Sequence, residues 1–424
     1  MPENWKTYNL GQILKVKHGY AFKGKSFTTE ANDNLLLTPG NFEKDGGIKF
    51  NWSKQKFYTG KFPAEYILQQ NSLIIAMTDL TQACDILGAP LLIKDSKFNY
   101  LHNQRLGLVQ EDEKLVSKDF LFYYFNSRKY RDRLVATKTG STVSHTAPER
   151  IYDCEIDLPP PQEQKSIASI LSALDEKIEL NLQTNKTLEE LAMALYKHWF
   201  VDFGPFQEGE FVDSELGEIP KGWEVKRLDE FAIKKSESFN FKNKEDVVFV
   251  NTGDVQEGRF LHSNRVPKKG LPGQAKKAIA KGDILYSEIR PKNKRFAYVN
   301  FDSEDYVVST KFMIINPKDN ILSKLLYRIL TMQSTVDNLN SIAEGRSGTF
   351  PQITFDAISD LKFILPPLNV QQKFQEIVSP MEMQQDELFL ENQTLTQLRD
   401  TLLPKLISGE VRVKDVEQTL SEVL

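Results

Sequence analysis

Hydrophobic residues recur at alternating spacings of three and four in two long segments of the chain. The first segment runs from about Gln162 to Phe200, and its pattern returns 207 residues later near the C-terminus. This spacing is typical of helices that pair as a coiled coil. The predicted seam residues are Leu171, Leu174, Ile178, Asn185, Leu188 and Leu195 in the first helix, and Val378, Met381, Leu388, Asn392, Leu395 and Leu402 in the second.

Each predicted helix spans about five heptads, which corresponds to roughly 55 Å. Polar seam residues such as Asn185 and Asn392 lower stability but fix the register, as a spacer of defined length requires. Because the chain must return after the intervening segment, we expect the pairing to be antiparallel. We expect Pro404 to end or kink the second helix, and Ser408 and Gly409 to finish it. The alternative is two ordinary surface helices, each packed on its own domain.

The sequence around the helices repeats as well. Leu158-Pro-Pro-Pro-Gln-Glu-Gln-Lys165 precedes the first helix, and Leu365-Pro-Pro-Leu-Asn-Val-Gln-Gln-Lys373 precedes the second. Trp5 and Leu10 have counterparts in Trp223 and Leu228. An internal repeat of about 200 residues constrains the whole architecture. The predicted boundaries are residues 1–158 for a first domain, 159–205 for a central helix, 206–365 for a second domain, 366–410 for a distal helix and 411–424 for a tail.

Short β-favouring runs within both domains alternate with Gly, Pro, Asn and Asp, which predicts bent and partly antiparallel sheets. The clearest runs are 72–76, 91–93, 247–250, 283–286 and 312–315. Helices are expected over 117–129 and 321–341. The predicted fold class is therefore α+β, with two tandem domains, two long helices forming an antiparallel coiled coil and a pseudo-twofold internal repeat.

Composition narrows the class of protein further. The 424 residues are 40% hydrophobic with a mean hydropathy of −0.41, which is typical of globular proteins. No apolar run approaches ~18 residues and no secretory leader opens the chain, so we expect a cytoplasmic protein without a membrane span. The two cysteines, Cys84 and Cys154, fit a reducing compartment. The net charge is −4, and the acidity is concentrated in the two helical segments.

Catalytic motifs give a weak alternative. Gly19-Tyr-Ala-Phe-Lys-Gly24-Lys25-Ser26 matches the pattern of a P-loop, which would make the protein a self-contained ATPase or nuclease. A P-loop needs a buried strand before it and a helix after it, and the flanking residues favour neither. Asp283 and Glu288 could form a nuclease carboxylate pair, but such scattered acids occur in any soluble chain. The histidines and cysteines have no metal-ligand spacing, so no cofactor and no metal is expected on this chain.

Basic clusters with polar neighbours are better supported, because Lys and Arg contact phosphates while Arg, Asn and Gln read base edges. Loops of small donors beside a cation recur at equivalent places, around 138–142 and 346–349. A solvated charged surface is the alternative for each cluster. The candidate DNA-binding residues are Arg128, Lys129, Arg131, Arg133, Lys138, Ser141 and Thr142 in the first domain, and Lys276, Lys277, Arg290, Lys292, Lys294, Arg295, Arg346, Ser347 and Thr349 in the second.

These motifs together resemble the specificity subunit of type I restriction-modification systems. The resemblance rests on the Trp-x4-Leu openings, the Leu-Pro-Pro-Pro-Gln-Glu-Gln sequence before a long helix, Gly217-Glu-Ile-Pro-Lys-Gly-Trp223 and Leu403-Pro-Lys-Leu-Ile-Ser-Gly-Glu410. It covers nearly the whole chain, and the Gly-x-Ile-Pro-x-Gly-Trp opening is especially specific.

The resemblance implies a non-catalytic subunit that binds double-stranded DNA. Each domain would be a target recognition domain for one half of an interrupted, asymmetric sequence, and the helices would set the half-site spacing. Two modification subunits would dock on the helices and carry S-adenosylmethionine for adenine methylation, and restriction subunits would supply ATP- and Mg-dependent cleavage. A scaffold whose domains bind proteins instead of DNA is the remaining alternative.

Overall fold

The computed structural model describes residues 2–81, 83–140, 143–346 and 348–414. The chain divides into two compact units. Unit 1 comprises residues 1–182 and 389–424, and unit 2 comprises residues 183–388. Both long helices contribute to both units. The first is α4 (Pro161–Phe200) and the second is α9 (Leu368–Ser408).

Unit 1 contains thirteen short strands and three short helices before α4 in the described part of the chain. The helices are α1 (Lys118–Asn126), α2 (Arg128–Thr137) and α3 (Pro148–Tyr152). The strands are β1 (Lys6–Asn9), β2 (Leu14–His18), β3 (Phe27–Thr28), β4 (Asn34–Leu37), β5 (Phe57–Tyr58), β6 (Ile67–Leu68), β7 (Leu73–Ala76), β8 (Thr78–Asp79), β9 (Pro90–Leu92), β10 (Asn99–His102), β11 (Leu106–Glu111), β12 (Ser144–His145) and β13 (Glu155–Leu158).

Two sheets dominate unit 1. One has the order β2-β11-β7-β9 and is antiparallel throughout. The other contains the parallel pair β4 and β10, with β6 antiparallel to β10. The first and last strands, β1 and β13, close the unit as an antiparallel pair. Apolar residues of β7 alternate between two cores, because Leu73 and Ile75 pack on the helices while Ile74 packs between the sheets.

Unit 2 contains fourteen strands and four short helices between α4 and α9 in the described residues. The helices are α5 (Leu228–Phe231), α6 (Ser323–Thr331), α7 (Gln333–Arg346) and α8 (Phe355–Ile358). The strands are β14 (Phe211–Ser214), β15 (Gly217–Pro220), β16 (Glu224–Arg227), β17 (Ala232–Lys235), β18 (Asp246–Val250), β19 (Val255–Gln256), β20 (Arg259–Phe260), β21 (Arg265–Pro267), β22 (Ala275–Ala278), β23 (Ile284–Ser287), β24 (Phe296–Tyr298), β25 (Tyr306–Ser309), β26 (Phe312–Pro317) and β27 (Lys362–Leu365).

Unit 2 repeats the main topology of unit 1. Its antiparallel sheet has the order β17-β26-β23-β24, its parallel pair is β18 and β25, and β16 closes on β27. The predicted α+β repeat is confirmed at the level of strand order. Unit 2 also has a hairpin of its own, β14 with β15, directly after α4.

The long helices pair antiparallel in each unit, as predicted. In unit 1, Arg399 donates to Asp175 at 3.0 Å and the Asn392 amide donates to the Ile178 carbonyl at 3.2 Å. The Asn181 amide also donates to the Asn392 side chain at 2.9 Å. Higher residue numbers on α9 lie opposite lower residue numbers on α4, so the two helices run antiparallel.

In unit 2 the same sense follows from other contacts. The Gln385 amide donates to the Asn185 carbonyl at 3.1 Å, and the Phe374 ring lies 5.8 Å from Trp199 and 4.7 Å from Phe200. The predicted seam residues are all buried or half-buried across both units. Leu171 and Val378 are fully buried.

A buried glutamine attaches the start of each long helix to its domain. Gln164 donates to the Leu115 and Pro159 carbonyls, both at 2.8 Å, and accepts from the Ser117 amide at 2.8 Å. Gln371 does the same in unit 2, with the Asn320 and Pro366 carbonyls and the Leu322 amide. The two side chains lie 207 residues apart, so the repeat extends to single hydrogen bonds.

Two details of the helix predictions are wrong. The helix predicted over 117–129 is two helices that meet at Ser127, and the one predicted over 321–341 is two helices that meet at Met332. Ser127 caps α2, because its hydroxyl accepts from the Tyr130 amide. Pro404 does not end α9, which continues to Ser408. Gly409, at φ +72°, then finishes the helix as predicted.

Candidate nucleic-acid interface

Three loops come together in unit 1. The first loop is residues 38–56, after β4, and the second is residues 77–89, between β7 and β9. The third is residues 138–147, after α2. The described residues of these loops exclude Gln82, Ser141 and Thr142.

The first and second loops are joined by Arg131 of α2. Its guanidinium donates to the Lys44 carbonyl at 3.2 Å and to the Asp85 carbonyl. The Lys44 and Asp85 side chains form an ion pair at 3.6 Å. Burial lowers the pKa of Arg131, and nearby acidic groups that include Asp45 and Asp79 oppose that shift. Arg131 is therefore a half-buried cation that joins the two loops.

The second and third loops pair through β8 and β12, with Ser144 opposite Asp79. The Lys138 ammonium donates to the Cys84 sulfur at 2.7 Å, and that sulfur lies 3.1 Å from the Ser144 hydroxyl. The fully buried Asp79 carboxylate accepts from three backbone amides of the second loop, those of residues 81, 86 and 87. These bonds fix the backbone of the second loop in one conformation.

Unit 2 assembles the equivalent three loops. The first loop is residues 251–264 and contains the β19–β20 hairpin, the second is residues 288–295, and the third is residues 346–354, of which residue 347 lies outside the described residues. The amides of Glu257 and Gly258 donate to the carbonyls of Lys294 and Phe296 at 2.9 and 2.8 Å. The Arg290 amide donates to the Pro351 carbonyl at 3.0 Å. The second loop therefore holds the other two.

The second loop of unit 2 is strained at both ends of its short turn. Arg290 and Lys294 have φ values of +46° and +52°, a left-handed region that is costly for side chains with a Cβ. The turn between them, Pro291–Asn293, directs Lys292 toward Glu344 at 3.2 Å. Strain of this kind persists only where surrounding contacts impose it, and the bonds to the first and third loops supply those contacts.

The predicted cluster in unit 1 separates into two groups. Arg131 and Lys138 face the loops and hold them together. Lys129 forms an ion pair with Asp157 at 2.9 Å, and Arg133 lines a shallow cavity beside Cys154. Burial raises the pKa of Asp157, but hydrogen bonds from Lys129 and Thr7 outweigh this effect and the pKa lies below its ordinary value.

The remaining unit 1 candidates are Arg128, Ser141 and Thr142. Arg128 is exposed at the first turn of α2. Ser141 and Thr142 lie outside the described residues, so their predicted role stays a prediction.

In unit 2 most of the predicted residues lie in the loops. The second loop carries Arg290, Lys292, Lys294 and Arg295; Arg346 is the last residue of α7, where the third loop begins, and Thr349 lies in that loop. Ser347 lies outside the described residues, so its role stays a prediction. Lys276 and Lys277 lie on β22 instead. Lys277 donates to the Phe312 carbonyl at 2.6 Å, and burial lowers its pKa. The Lys277 side chain therefore bonds to the backbone of a neighbouring strand, while Lys276 on the same strand is exposed.

Sequence reasoning missed the first loop of each unit. In unit 1 this loop carries Trp52, which is 57% exposed and lies between Lys49 and Lys54 in the sequence. In unit 2 the loop carries Leu261, which is 59% exposed and follows Arg259 by two residues. An aromatic residue between two lysines was a detectable signal in unit 1. The unit 2 counterpart has no such composition, and only the shared topology relates the two positions.

The catalytic alternatives find no support. The Gly24–Ser26 turn is followed by β3 instead of a helix, and Phe22 packs against Tyr20 and Tyr58 in an aromatic cluster. Asp283 is buried and accepts from Lys235 and Asn316. Across the described ranges, no group of three or more His, Cys, Asp and Glu side chains is placed to hold a metal ion. Within those ranges, no helix combines the length and the apolar character needed to cross a bilayer.

Comparison with known proteins gives consistent matches. The model of a family described as type I restriction modification DNA specificity domain matches residues 2–190 and 220–398. The type I restriction enzyme HindI specificity subunit of Haemophilus influenzae is 45% identical over 204 residues, which cover 47% of this chain and 44% of that relative. The type I restriction enzyme MjaIX specificity subunit of Methanocaldococcus jannaschii is 32% identical over 319 residues, which cover 71% of each chain.

A solved structure shares the fold. The crystal structure of a type I restriction-modification S subunit from Mycoplasma genitalium aligns with a TM-score of 0.59 at 17% identity, covering 95% of this chain and 96% of that one. At that identity the similarity concerns the arrangement of elements. It agrees with the tandem repeat described above.

Proposed function

This chain belongs to the type I restriction-modification DNA specificity family, and on that premise we propose that it selects the DNA sequence on which a type I complex acts. Family members are the non-catalytic specificity subunits of such systems. Each unit would read one half of a bipartite, asymmetric target in double-stranded DNA. The observation that carries the proposal is the repeated three-loop site, built on the same topology but with different side chains in each unit.

Cations in these loops support a DNA partner. Arg290, Lys292, Lys294 and Arg346 are concentrated in two adjoining loops of unit 2. Cations of this kind neutralise phosphates and position a protein on the duplex, while differing neighbours supply base readout. Because the loop residues of the units differ, the two half-sites are expected to differ in sequence.

The long helices fit the role of spacer and docking surface. They expose large apolar residues, including Leu180 and Leu390 in unit 1 and Met383 in unit 2. A protein partner docked on these helices would bury these side chains. We propose that two modification subunits bind there, and that restriction subunits join the assembly. S-adenosylmethionine, ATP and Mg would then be bound by those partners, and the complex would act in the cytoplasm.

The proposed domain division assigns residues 1–158 and 206–365 to the two recognition domains, 159–205 and 366–410 to the spacer helices, and 411–424 to a tail. A domain exchange tests this division together with the function. Residues 206–365 are replaced by the corresponding segment of a relative, and the hybrid is reconstituted with its modification subunit. Methylation is expected to change at one half-site only, and the reciprocal exchange of residues 1–158 should change the other. A change at both half-sites in either hybrid would contradict the proposal.

A protein-binding scaffold is separated from this proposal by salt dependence. The reconstituted complex should retain duplex DNA at low salt and release it steeply as salt rises, because phosphate contacts displace counterions. Retention that is absent, or that does not change with salt, would favour the scaffold.

A further inference from the structure

The first loops of both units present a large apolar side chain to solvent at equivalent places in the repeat. Trp52 follows the parallel strand β4 and the turn Pro39–Asn41, and Leu261 follows the parallel strand β18 and the turn Thr252–Asp254. They are 57% and 59% exposed. The sequences around them have little in common, and the shared feature is an exposed apolar side chain in the first loop of each unit.

The Trp52 side chain is held in place by ring contacts, and Leu261 is held through its backbone. The Trp52 ring stacks on Phe50 at 4.9 Å with an interplanar angle of 22°, and it lies 6.1 Å from Phe98. Asn41 anchors the loop beneath it, donating to the Lys49 carbonyl at 3.2 Å and to the buried Gln55 at 2.8 Å. The tryptophan is therefore a supported ring with an accessible surface.

The backbone at Leu261 is fixed by the hairpin and by the residue before it. The Phe260 ring packs inward against Phe301 at 5.0 Å, while the Leu261 amide donates to the Asp254 carbonyl at 2.9 Å. Adjacent residues thus point to opposite sides of the chain. The hairpin before Leu261 is bonded to the turn that carries Arg290, Lys292 and Lys294.

Each apolar side chain is accompanied by cations. Lys49, paired with Glu43 at 3.6 Å, and Lys54 flank Trp52. Arg259 precedes Leu261 by two residues in a loop that also carries Asp254 and Glu257, and the cations near Leu261 are mainly those of the adjoining turn 290–294. Cations beside an apolar side chain favour a polyanionic partner, because they neutralise phosphates. Apolar side chains among cations are the groups with which proteins insert between base steps or stack on bases.

We propose that Trp52 and Leu261 are wedge residues that each unit inserts at a base step of its own half-site. This inference rests on the proposed function and adds a mode of contact to it. Each wedge partially unstacks the duplex, while the adjoining cations bind the flanking phosphates. The wedge contributes to affinity for one half-site and leaves the other half-site unaffected.

The test uses the full chain with its modification subunit and a duplex that carries the target identified by methylation mapping. 2-Aminopurine is placed in turn at each position of one half-site, since its fluorescence rises when it is unstacked. Wild-type complex is expected to raise the fluorescence at a step in each half-site. Trp52→Ala should abolish the rise in one half-site and Leu261→Ala in the other, and each should weaken binding about tenfold.

Lys54→Ala is the matched control in the same loop. It should weaken binding and reduce the salt dependence while the fluorescence rise persists. If the wild-type complex binds its target but neither apolar substitution changes fluorescence or affinity, the wedge inference is wrong and the proposed function stands. If wild type shows no preference for any bipartite target, the proposed function itself fails.

Discussion

Gln164 and Gln371 make matching sets of three hydrogen bonds at the start of their helices. Replacing Gln371 by Leu keeps the volume but leaves the Leu322 amide and two carbonyls without their partner. Buried polar groups left unsatisfied cost about 1–3 kcal/mol each, so we expect unit 2 to lose about 3 kcal/mol of stability. Urea unfolding followed by tryptophan fluorescence measures the loss.

The adjacent residue provides the control for that substitution. Gln372 is exposed, and Gln372→Leu should change the unfolding midpoint little. Equal effects of the two substitutions would show that the buried hydrogen bonds do not hold the helix to the domain.

His102 is a buried neutral histidine whose Nε2 lies 2.9 Å from the Leu106 carbonyl. Burial lowers its pKa to about 4, with the Leu106 hydrogen bond opposing the shift and Lys17 and His18 adding to it. The unfolded chain then binds the proton more tightly, so stability is present above the unfolded pKa of about 6.5 and is lost as pH falls toward 4. Between pH 7 and pH 5 this single group should cost unit 1 about 2 kcal/mol.

Urea titrations at both pH values test the histidine. Carboxylates contribute to the same slope, so the comparison is with His102→Gln, which cannot titrate. The variant should lose clearly less stability than wild type on acidification. Parallel losses in both proteins would show that His102 does not control the pH response.

At the scale of elements, a buried ion pair joins α6 to the long helices of unit 2. Arg328 is 3% exposed and donates to Glu382 at 2.7 Å, with Glu189 at 3.7 Å. Arg328→Met leaves the Glu382 carboxylate buried without its strongest partner, which typically costs about 3–5 kcal/mol. Adding Glu382→Met should restore most of that loss in urea unfolding. A double variant as unstable as the sum of the two single variants would contradict coupling across these helices.

The elements differ in how far sequence could predict them. The heptad pattern predicts α4 and α9 because burial repeats over about five heptads, and a signal of that length outweighs local exceptions such as Pro404. The breaks at Ser127 and Met332 were not predictable from periodicity. At Ser127 the break depends on a single capping hydroxyl, and the apolar pattern continues through it.

Local sequence patterns also predict the candidate DNA-binding residues only in part. Arg128 to Lys138 form one basic cluster in the sequence, but helical geometry divides it. Arg131 and Lys138, seven residues apart, face the loops, while Lys129 and Arg133, four apart, face away. Trp52 and the lysines on either side of it are visible in the sequence, but the sequence does not show that their loop adjoins the loop of residues 77–89. Local composition cannot report which loops a topology brings together.

At the scale of the whole molecule, the two units share one structural framework but differ in their loop residues. Strand order, the buried glutamines and the antiparallel helix pairing recur, while the loop residues differ between the units. A shared framework with different loops allows one fold to recognise two different half-sites. Family membership and the three-loop sites both agree with that account.

Mapping of methylated adenine across the DNA of cells that carry this chain with its modification subunit tests the central claim most directly. The account predicts methylation that depends on this chain and falls at one motif, made of two different half-sites separated by a spacer of fixed length. A continuous or palindromic motif, or methylation that is unchanged when the chain is removed, would contradict it.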